Sequence, residues 1–215
     1  MDLNQLETEL RDLSAVIKDG YALEQVTYKT REICLAAIKE TACALVYIDE
    51  PETEFYLDAV RVNGCALAFI EKQTPEICMV AVQEDGYSLN YVKEQTPELC
   101  MAAVKQIGYA LKYVEKQTPE ICMAAVIKNG LALKYVEDQT PELCLAAVKQ
   151  DGYTLGFVEE QTPEICLTAV SEDGNALQYV EKQTNEICLA AVKQNGFALD
   201  HVKNQTPEIC RAVVA

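Results

Sequence analysis

A repeat of 22 residues runs through almost the whole chain and limits the folds that it can adopt. The segment from Thr118 to Gln139, TPEICMAAVIKNGLALKYVEDQ, is a representative copy. Full copies begin at Thr8, Thr30, Glu52, Thr74, Thr96, Thr118, Thr140, Thr162 and Thr184, and a half copy begins at Thr206. A fixed period of this length is typical of stacked supersecondary units, each of which buries its apolar face against its neighbours. Positions within each copy are numbered 1 to 22.

The first half of each copy predicts an α-helix. In the representative copy Thr118 is a favourable N-cap residue, Pro119 lacks the N–H that the first helical position leaves unpaired, and Glu120 places a carboxylate near the positive end of the helix dipole. Apolar residues fill positions 4 to 9, which is too continuous for a helix with one buried face. We therefore expect neighbours to cover this helix on several sides.

The second half of each copy predicts a shorter helix. Position 13 is glycine in eight of nine copies, often after Asp or Asn, which is typical of a left-handed residue that ends a helix. Leucine at position 16 and valine or isoleucine at position 19 predict the buried face of a second helix over positions 14 to 21. The expected fold is therefore all-α, an α-solenoid of helix-turn-helix repeats with nine full units and a C-terminal half unit.

The limits of the repeat give the expected domain organisation. Residues 1–7 are interpreted as the remnant of a preceding second helix, 8–205 as nine tandem repeats, and 206–215 as a terminal half repeat with a capping helix. No linker rich in Ser, Gly or Pro interrupts the chain, so we expect one continuous domain. The copy from Glu52 to Gln73 departs most from the pattern, with Pro51 just before it, and predicts a local irregularity.

The composition restricts the partners and the compartment. The net charge of −16 and the pI of about 4.4 argue against direct nucleic-acid binding, because Lys and Arg carry the affinity for phosphate. A protein partner should be basic or neutral, although an acidic surface also keeps a repeat protein soluble. The sequence shows neither a signal peptide nor an apolar run long enough to span a membrane, so we expect a cytoplasmic protein without a membrane partner.

Eight of the ten cysteines recur at position 5. They are Cys34, Cys78, Cys100, Cys122, Cys144, Cys166, Cys188 and Cys210. Helices that pack about 8 to 10 Å apart hold such residues too far apart for disulfides. No C-x-x-C or Cys/His cluster is present, so we expect buried apolar cysteines, no metal site and no cofactor. Cys43 and Cys65, both at position 14, are the candidates for reactive thiols.

Aromatic residues recur at positions 14 and 18, which would share one stripe of an α-helical second helix. Two roles are open, because the rings could line a groove for a peptide or could pack between adjacent second helices. Acidic residues recur at position 20, where a partner could also be recognised. The candidate protein-binding residues are Tyr91, Tyr113, Tyr135, Phe157, Tyr179, Glu115, Glu137 and Glu159. Glutamine at position 22 is assigned to the scaffold, since its amide could bond free backbone groups between helices.

Catalytic signatures are scarce in this sequence. Its one histidine, His201, stands in an aromatic slot, and no glycine-rich phosphate loop or H-E-x-x-H motif occurs. Carboxylates that repeat as equivalents lack the contrasting environments that acid–base catalysis needs. We therefore expect a protein that is not an enzyme and has no catalytic residues.

The pattern TPEIC-x-x-AV-x-x-x-G-x-x-L-x-x-V resembles a family of short tandem helical repeats of unknown function, found in bacteria and large viruses. The resemblance covers nearly the whole chain, although the copies that begin at Thr8 and Glu52 depart from it. It implies the repeat fold and a bacterial or viral origin, and it brings no functional residues.

Two functional hypotheses follow from these observations. The first is a repeat scaffold that binds a protein along a face formed by the second helices or by the loops between units. The second is an acidic inhibitor of viral or phage type, whose rows of carboxylates imitate a nucleic-acid backbone and occupy a basic host protein. Binding through aromatic rings should depend little on salt, whereas electrostatic imitation should depend on it steeply.

Overall fold

A computed structural model describes residues 3–212, and this range contains ten α-helices and nine short 3₁₀ helices without a strand. The α-helices are α1 (Leu3–Lys18), α2 (Arg31–Glu40), α3 (Thr53–Val62), α4 (Pro75–Glu84), α5 (Pro97–Gln106), α6 (Pro119–Lys128), α7 (Pro141–Gln150), α8 (Pro163–Glu172), α9 (Asn185–Gln194) and α10 (Pro207–Ala212). The 3₁₀ helices are η1 (Gly20–Gln25), η2 (Ala42–Tyr47), η3 (Gly64–Phe69), η4 (Gly86–Tyr91), η5 (Gly108–Tyr113), η6 (Gly130–Tyr135), η7 (Gly152–Phe157), η8 (Gly174–Tyr179) and η9 (Gly196–His201). The predicted α-solenoid of 22-residue repeats is confirmed.

The threonine at position 1 caps the α-helices as predicted. The Thr118 hydroxyl accepts a hydrogen bond from the backbone N–H of Ile121 at 3.4 Å. The pKa of the Glu120 carboxyl is lowered by hydrogen bonds from the backbone N–H of Glu120 and from the Thr118 hydroxyl. The first copy differs, because α1 starts before Thr8 and runs through it, and the Thr8 hydroxyl donates to the carbonyl oxygen of Asn4. The expectation that Thr8 opens the first helix was therefore wrong.

The residue at position 12 ends each α-helix and begins the 3₁₀ helix. Asp151 has an extended backbone, and its carboxylate accepts a hydrogen bond from the N–H of Tyr153 at 2.9 Å. Among residues 3–212 no glycine has a positive φ, so the prediction of a left-handed glycine at position 13 was wrong. A Cβ atom at Gly152 would instead collide with the carbonyl oxygen of Ala169 in the next α-helix. Close approach of two backbones explains this glycine.

The second helix is tighter and shorter than the sequence predicts. It is a 3₁₀ helix over positions 13 to 18, in place of an α-helix over positions 14 to 21. In η7 the leucine at position 16, Leu155, is fully buried, and its carbonyl oxygen accepts a hydrogen bond from the N–H of Val158 at 3.2 Å. Val158 has an extended backbone and ends the helix at position 19.

The chain divides into two compact units between Gln106 and Ile107. The sequence, in contrast, predicts one continuous domain. Within each unit, the α-helix of one repeat packs against the α-helix of the next repeat. The 3₁₀ helix of one repeat packs against the 3₁₀ helix of the next in the same way. A stack has no single centre, because each repeat contacts its neighbours alone. Positions 4, 5, 8 and 9 of α6 are buried, whereas Met123 and Ala124 at positions 6 and 7 are half-buried. Neighbouring helices therefore cover α6 on several sides, as expected, but leave positions 6 and 7 partly exposed.

The predicted irregularity lies in the N-terminal unit, at the start of the copy from Glu52 to Gln73. Glu50 has φ 43°, and it is the one non-glycine residue of the described range with a positive φ. Asp58 stands where most copies have alanine, and it accepts hydrogen bonds from Arg31 and Arg61. The Arg31 guanidinium, followed by that of Arg61, lowers the pKa of the Asp58 carboxyl despite the opposing effect of desolvation.

Candidate protein-interaction surface

The candidate aromatic residues all lie at the last position of a 3₁₀ helix. Tyr91 belongs to the N-terminal unit, whereas Tyr113, Tyr135, Phe157 and Tyr179 belong to the C-terminal unit. Phe157 is 41% exposed and Tyr179 is 36% exposed, and the other three are half-buried. The C-terminal unit therefore carries a row of aromatic rings, one from each of four consecutive 3₁₀ helices, that remains partly open to solvent.

These rings pack against the preceding repeat. The rings of Tyr109 and Tyr135 meet edge to face with centroids 6.1 Å apart, and those of Tyr153 and Tyr179 do so at 5.8 Å. Each contact joins position 14 of one repeat to position 18 of the next. A 3₁₀ helix has three residues per turn, so positions 14 and 18 of one helix do not form the stripe expected for an α-helix. The interpretation that the rings pack between adjacent second helices is confirmed for these pairs.

Lysine at position 17 contacts the same rings. The Lys134 ammonium lies 4.7 Å from the ring centroid of Tyr135 and 5.2 Å from that of Tyr109. The Lys112 ammonium lies 5.4 Å from the ring of Tyr113. These contacts were not predicted, although the place of each lysine one residue before an aromatic residue is visible in the sequence.

Glutamine at position 22 links adjacent repeats, as the sequence suggested. In the C-terminal unit the Gln139 side chain donates to the carbonyl oxygen of Phe157 at 2.8 Å and accepts from the N–H of Glu159 at 3.1 Å. Its amide oxygen also accepts from the Cys144 thiol at 3.5 Å. One amide thus satisfies backbone groups at the end of the next 3₁₀ helix and holds the aromatic residue in place.

Two of the candidate acids at position 20, Glu137 and Glu159, line clefts between repeats. Glu115, Glu137 and Glu159 are exposed. One cleft of about 280 Å³ is lined by Glu137, Asp138, Glu159 and Glu160, and none of these four acids makes an ion pair with a described residue. A neighbouring cleft of about 530 Å³ is lined by Glu159, Glu160, Glu181 and Lys182. The negative charge is therefore concentrated beside the aromatic row.

A corresponding cleft in the N-terminal unit is electrically balanced. It measures about 300 Å³ and is lined by Glu71, Lys72, Lys93 and Glu94. Lysine stands at position 20 here, and the Lys93 ammonium donates to the carbonyl oxygen of Glu71 at 2.8 Å. In the acidic cleft Glu159 occupies the position of Lys93, so no lysine at position 20 is present to bind the preceding repeat there.

The position-5 cysteines are not joined in disulfides, and most of them form part of the packing. Seven of the eight are buried, whereas Cys210 is exposed, which corrects the expectation that the whole series is buried. Burial raises the pKa of the Cys144 thiol, and the Glu159 carboxylate adds to this effect. Cys43 and Cys65 are half-buried, so Cys210, Cys43 and Cys65 are more accessible than the buried series. Burial raises the pKa of the Cys65 thiol.

Within residues 3–212, no group of three or more His, Cys, Asp and Glu side chains is arranged to hold a metal ion. In the same range no helix has the length and apolar character needed to cross a membrane.

The fold and the repeated surface define an α-solenoid repeat protein. The model of a family described as a domain of unknown function, DUF4116, matches residues 96–140, 118–161 and 162–205. These matches cover just over half of the 215 residues, and the chain belongs to this family. Comparisons with curated proteins and with solved structures found no match.

Proposed function

We propose that this chain is a non-enzymatic repeat scaffold that binds a partner protein along the 3₁₀ helices and following loops of its C-terminal unit. One observation carries the proposal: the partly exposed rings of Tyr135 and Phe157 alternate with Glu137 and Glu159, which make no ion pair with a described residue. Phe157 is 41% exposed and lies two residues before Glu159, which lines both acidic clefts. Aromatic side chains in such settings commonly supply most of the energy of a protein interface.

The charges of this surface favour a basic or neutral partner. Glu137, Asp138, Glu159 and Glu160 line one cleft, and their mutual repulsion is relieved when a cation approaches. The same potential opposes direct binding of nucleic acid or of an anionic membrane. Recognition would then combine apolar contact at the rings with attraction at the clefts, and the attraction would mainly raise the rate of association.

The cysteines that could serve as nucleophiles have packing roles, which supports a function other than an enzyme's. Burial raises the pKa of the Cys122 and Cys166 thiols and so disfavours the nucleophilic thiolate. The backbone carbonyl oxygen of His201 accepts a hydrogen bond from Gln183 at 2.8 Å, at the same place where other copies hold an aromatic residue. We assign no catalytic residue and no cofactor to this chain.

Selection from a displayed peptide library on the immobilised protein tests the proposal. Peptides that bind should lose affinity by more than about tenfold, or about 1.4 kcal/mol, when Tyr135, Phe157 and Tyr179 are all replaced by serine. The matched control is Tyr28→Ser, since Tyr28 is 61% exposed and lies in the N-terminal unit, outside the proposed surface. Equal affinity for the triple variant and the wild type, with both folded by circular dichroism, would contradict the proposal.

The alternative is an acidic inhibitor that imitates nucleic acid. The observation that favours it is the spacing of the carboxylate pairs Glu137/Asp138 and Glu159/Glu160, which recur one repeat apart without ion pairs to described residues. Such an inhibitor would bind a basic nucleic-acid-binding protein, and its affinity would fall steeply as salt rises.

A further inference from the structure

A cleft of about 840 Å³ lies in the N-terminal unit beside the irregular copy. It is lined by Leu45, Val46, Ile48, Glu50, Pro51, Thr53, Tyr56, Phe69, Glu71, Lys72, Thr74 and Ile77. Pro51 occupies position 22, where seven later copies carry the linking glutamine. The cleft is therefore found where the carboxamide side chain is missing.

The contacts of Gln73, one copy later, show what that side chain binds. Its amide nitrogen donates to the carbonyl oxygen of Leu67 at 3.1 Å and to that of Tyr91 at 2.8 Å. Its amide oxygen accepts from the N–H of Lys93 at 3.0 Å and from the Cys78 thiol at 3.7 Å. These partners occupy position 16 of the same copy and positions 18, 20 and 5 of the next.

The residues at the same four positions around Pro51 are Leu45, Phe69, Glu71 and Tyr56, and all four line the cleft. Within the described range no hydrogen bond reaches the carbonyl oxygen of Phe69 or the N–H of Glu71. A backbone acceptor and a backbone donor thus stand two residues apart, as they do around each linking glutamine. The left-handed Glu50 beside them is a strained conformation of a kind that often marks binding sites.

We propose that this cleft binds a primary carboxamide on a short aliphatic stem, as in a glutamine side chain. A primary amide presents an N–H and a carbonyl oxygen on the same side, so it can donate to Phe69 and accept from Glu71 together. A trans peptide group directs its N–H and C=O to opposite sides, and a carboxylate has no proton to donate. Val46 and Ile48 provide the apolar wall for the stem. This site is separate from the C-terminal surface and does not depend on its function.

Titration of the ¹⁵N-labelled full chain with N-acetylglutamine methylamide, followed by NMR, tests the site. The Glu71 backbone amide resonance should shift and saturate, because that N–H gains an acceptor. N-acetylglutamate methylamide, which differs in the one group that donates, should bind at least about tenfold more weakly. Acetamide is a primary amide without an aliphatic stem, and it shows whether the stem contributes to binding. If acetamide shifts the Glu71 resonance as much as the glutamine probe does, the site binds a bare amide. That result would overturn the glutamine side chain as the ligand.

Two variants complete the test. Pro51→Gln should supply the missing carboxamide from the chain itself and weaken binding of the glutamine probe. Lys39→Gln adds the same side chain at an exposed position outside the cleft and should leave binding unchanged. The dispersion of the amide spectrum reports whether each variant is folded. Absence of a saturable shift at Glu71 in the wild type, or equal shifts with the glutamine and glutamate probes, would overturn the proposal whatever the variants do.

Discussion

A Cβ atom built on Gly152 would lie 2.5 Å from the carbonyl oxygen of Ala169, one repeat further along the chain. The same clash with a backbone carbonyl recurs between Gly20 and Ala37. Glycine at position 13 therefore sets the distance between a 3₁₀ helix and the α-helix of the next copy. This contact lets a repeat of only 22 residues stack as closely as it does.

Gly152→Ala should destabilise the protein by about 1 to 3 kcal/mol, because the added methyl group meets a rigid backbone oxygen and forces the two helices apart. Gly156→Ala is the matched control in the same 3₁₀ helix. There the nearest atom is 3.0 Å away and belongs to the ring of Tyr179, which can move. Urea unfolding of both variants measures the difference, and an equal loss of stability would contradict this role of Gly152.

Gln139→Ala should cost about 1 to 3 kcal/mol, because the carbonyl oxygen of Phe157 and the N–H of Glu159 lose their partner. Gln205→Ala is the control, since the bond that Gln205 makes in the described range stays within its own copy, to Leu199. We expect a smaller loss for that variant in the same unfolding experiment. Equal losses would show that the link between repeats adds little.

The sequence predicted the features of this fold that arise from local chemistry. The caps at Thr118 and its equivalents follow from the bonding of a threonine hydroxyl within one helical turn. The sequence also predicted that Gln139 bonds backbone groups between helices, because free backbone groups at helix ends need partners. The family resemblance implied the same repeat fold.

Features that depend on the neighbouring repeat were predicted poorly. Gly152 was explained by a local rule, whereas its contact with Ala169 of the next copy is what requires a residue without a side chain. The aromatic stripe assumed an α-helix, but the second helix is 3₁₀ and its rings meet across repeats, as in Tyr153 and Tyr179. The cleft at Pro51 was predicted as an irregularity alone, since the groups around it come from two copies of the repeat.

Alkylation of the native protein should label Cys210 first and Cys43 and Cys65 next, because all three are more accessible than the buried series. Cys122, Cys144 and Cys166 should react slowly, since burial shields them and raises the pKa of each thiol above its ordinary value of 9.0. Their reaction should therefore remain slow as the pH rises to that value. Timed treatment with iodoacetamide and peptide mapping measures the order, and rapid labelling of Cys144 in folded protein would contradict it.

The most direct test of the proposed scaffold compares two triple variants with one selected peptide at two salt concentrations. Replacing Tyr135, Phe157 and Tyr179 by serine should weaken binding by more than about tenfold, and raising salt from about 0.1 M to about 0.5 M should change the affinity of the wild type little. Changing Glu115, Glu137 and Glu159 to lysine should reduce the association rate more than the stability of the complex. Surface plasmon resonance gives the affinities and the association rates, and circular dichroism confirms the fold of each variant. If the lysine variant abolishes binding, high salt does the same and the serine variant binds normally, the acidic inhibitor replaces the scaffold as the function of this protein.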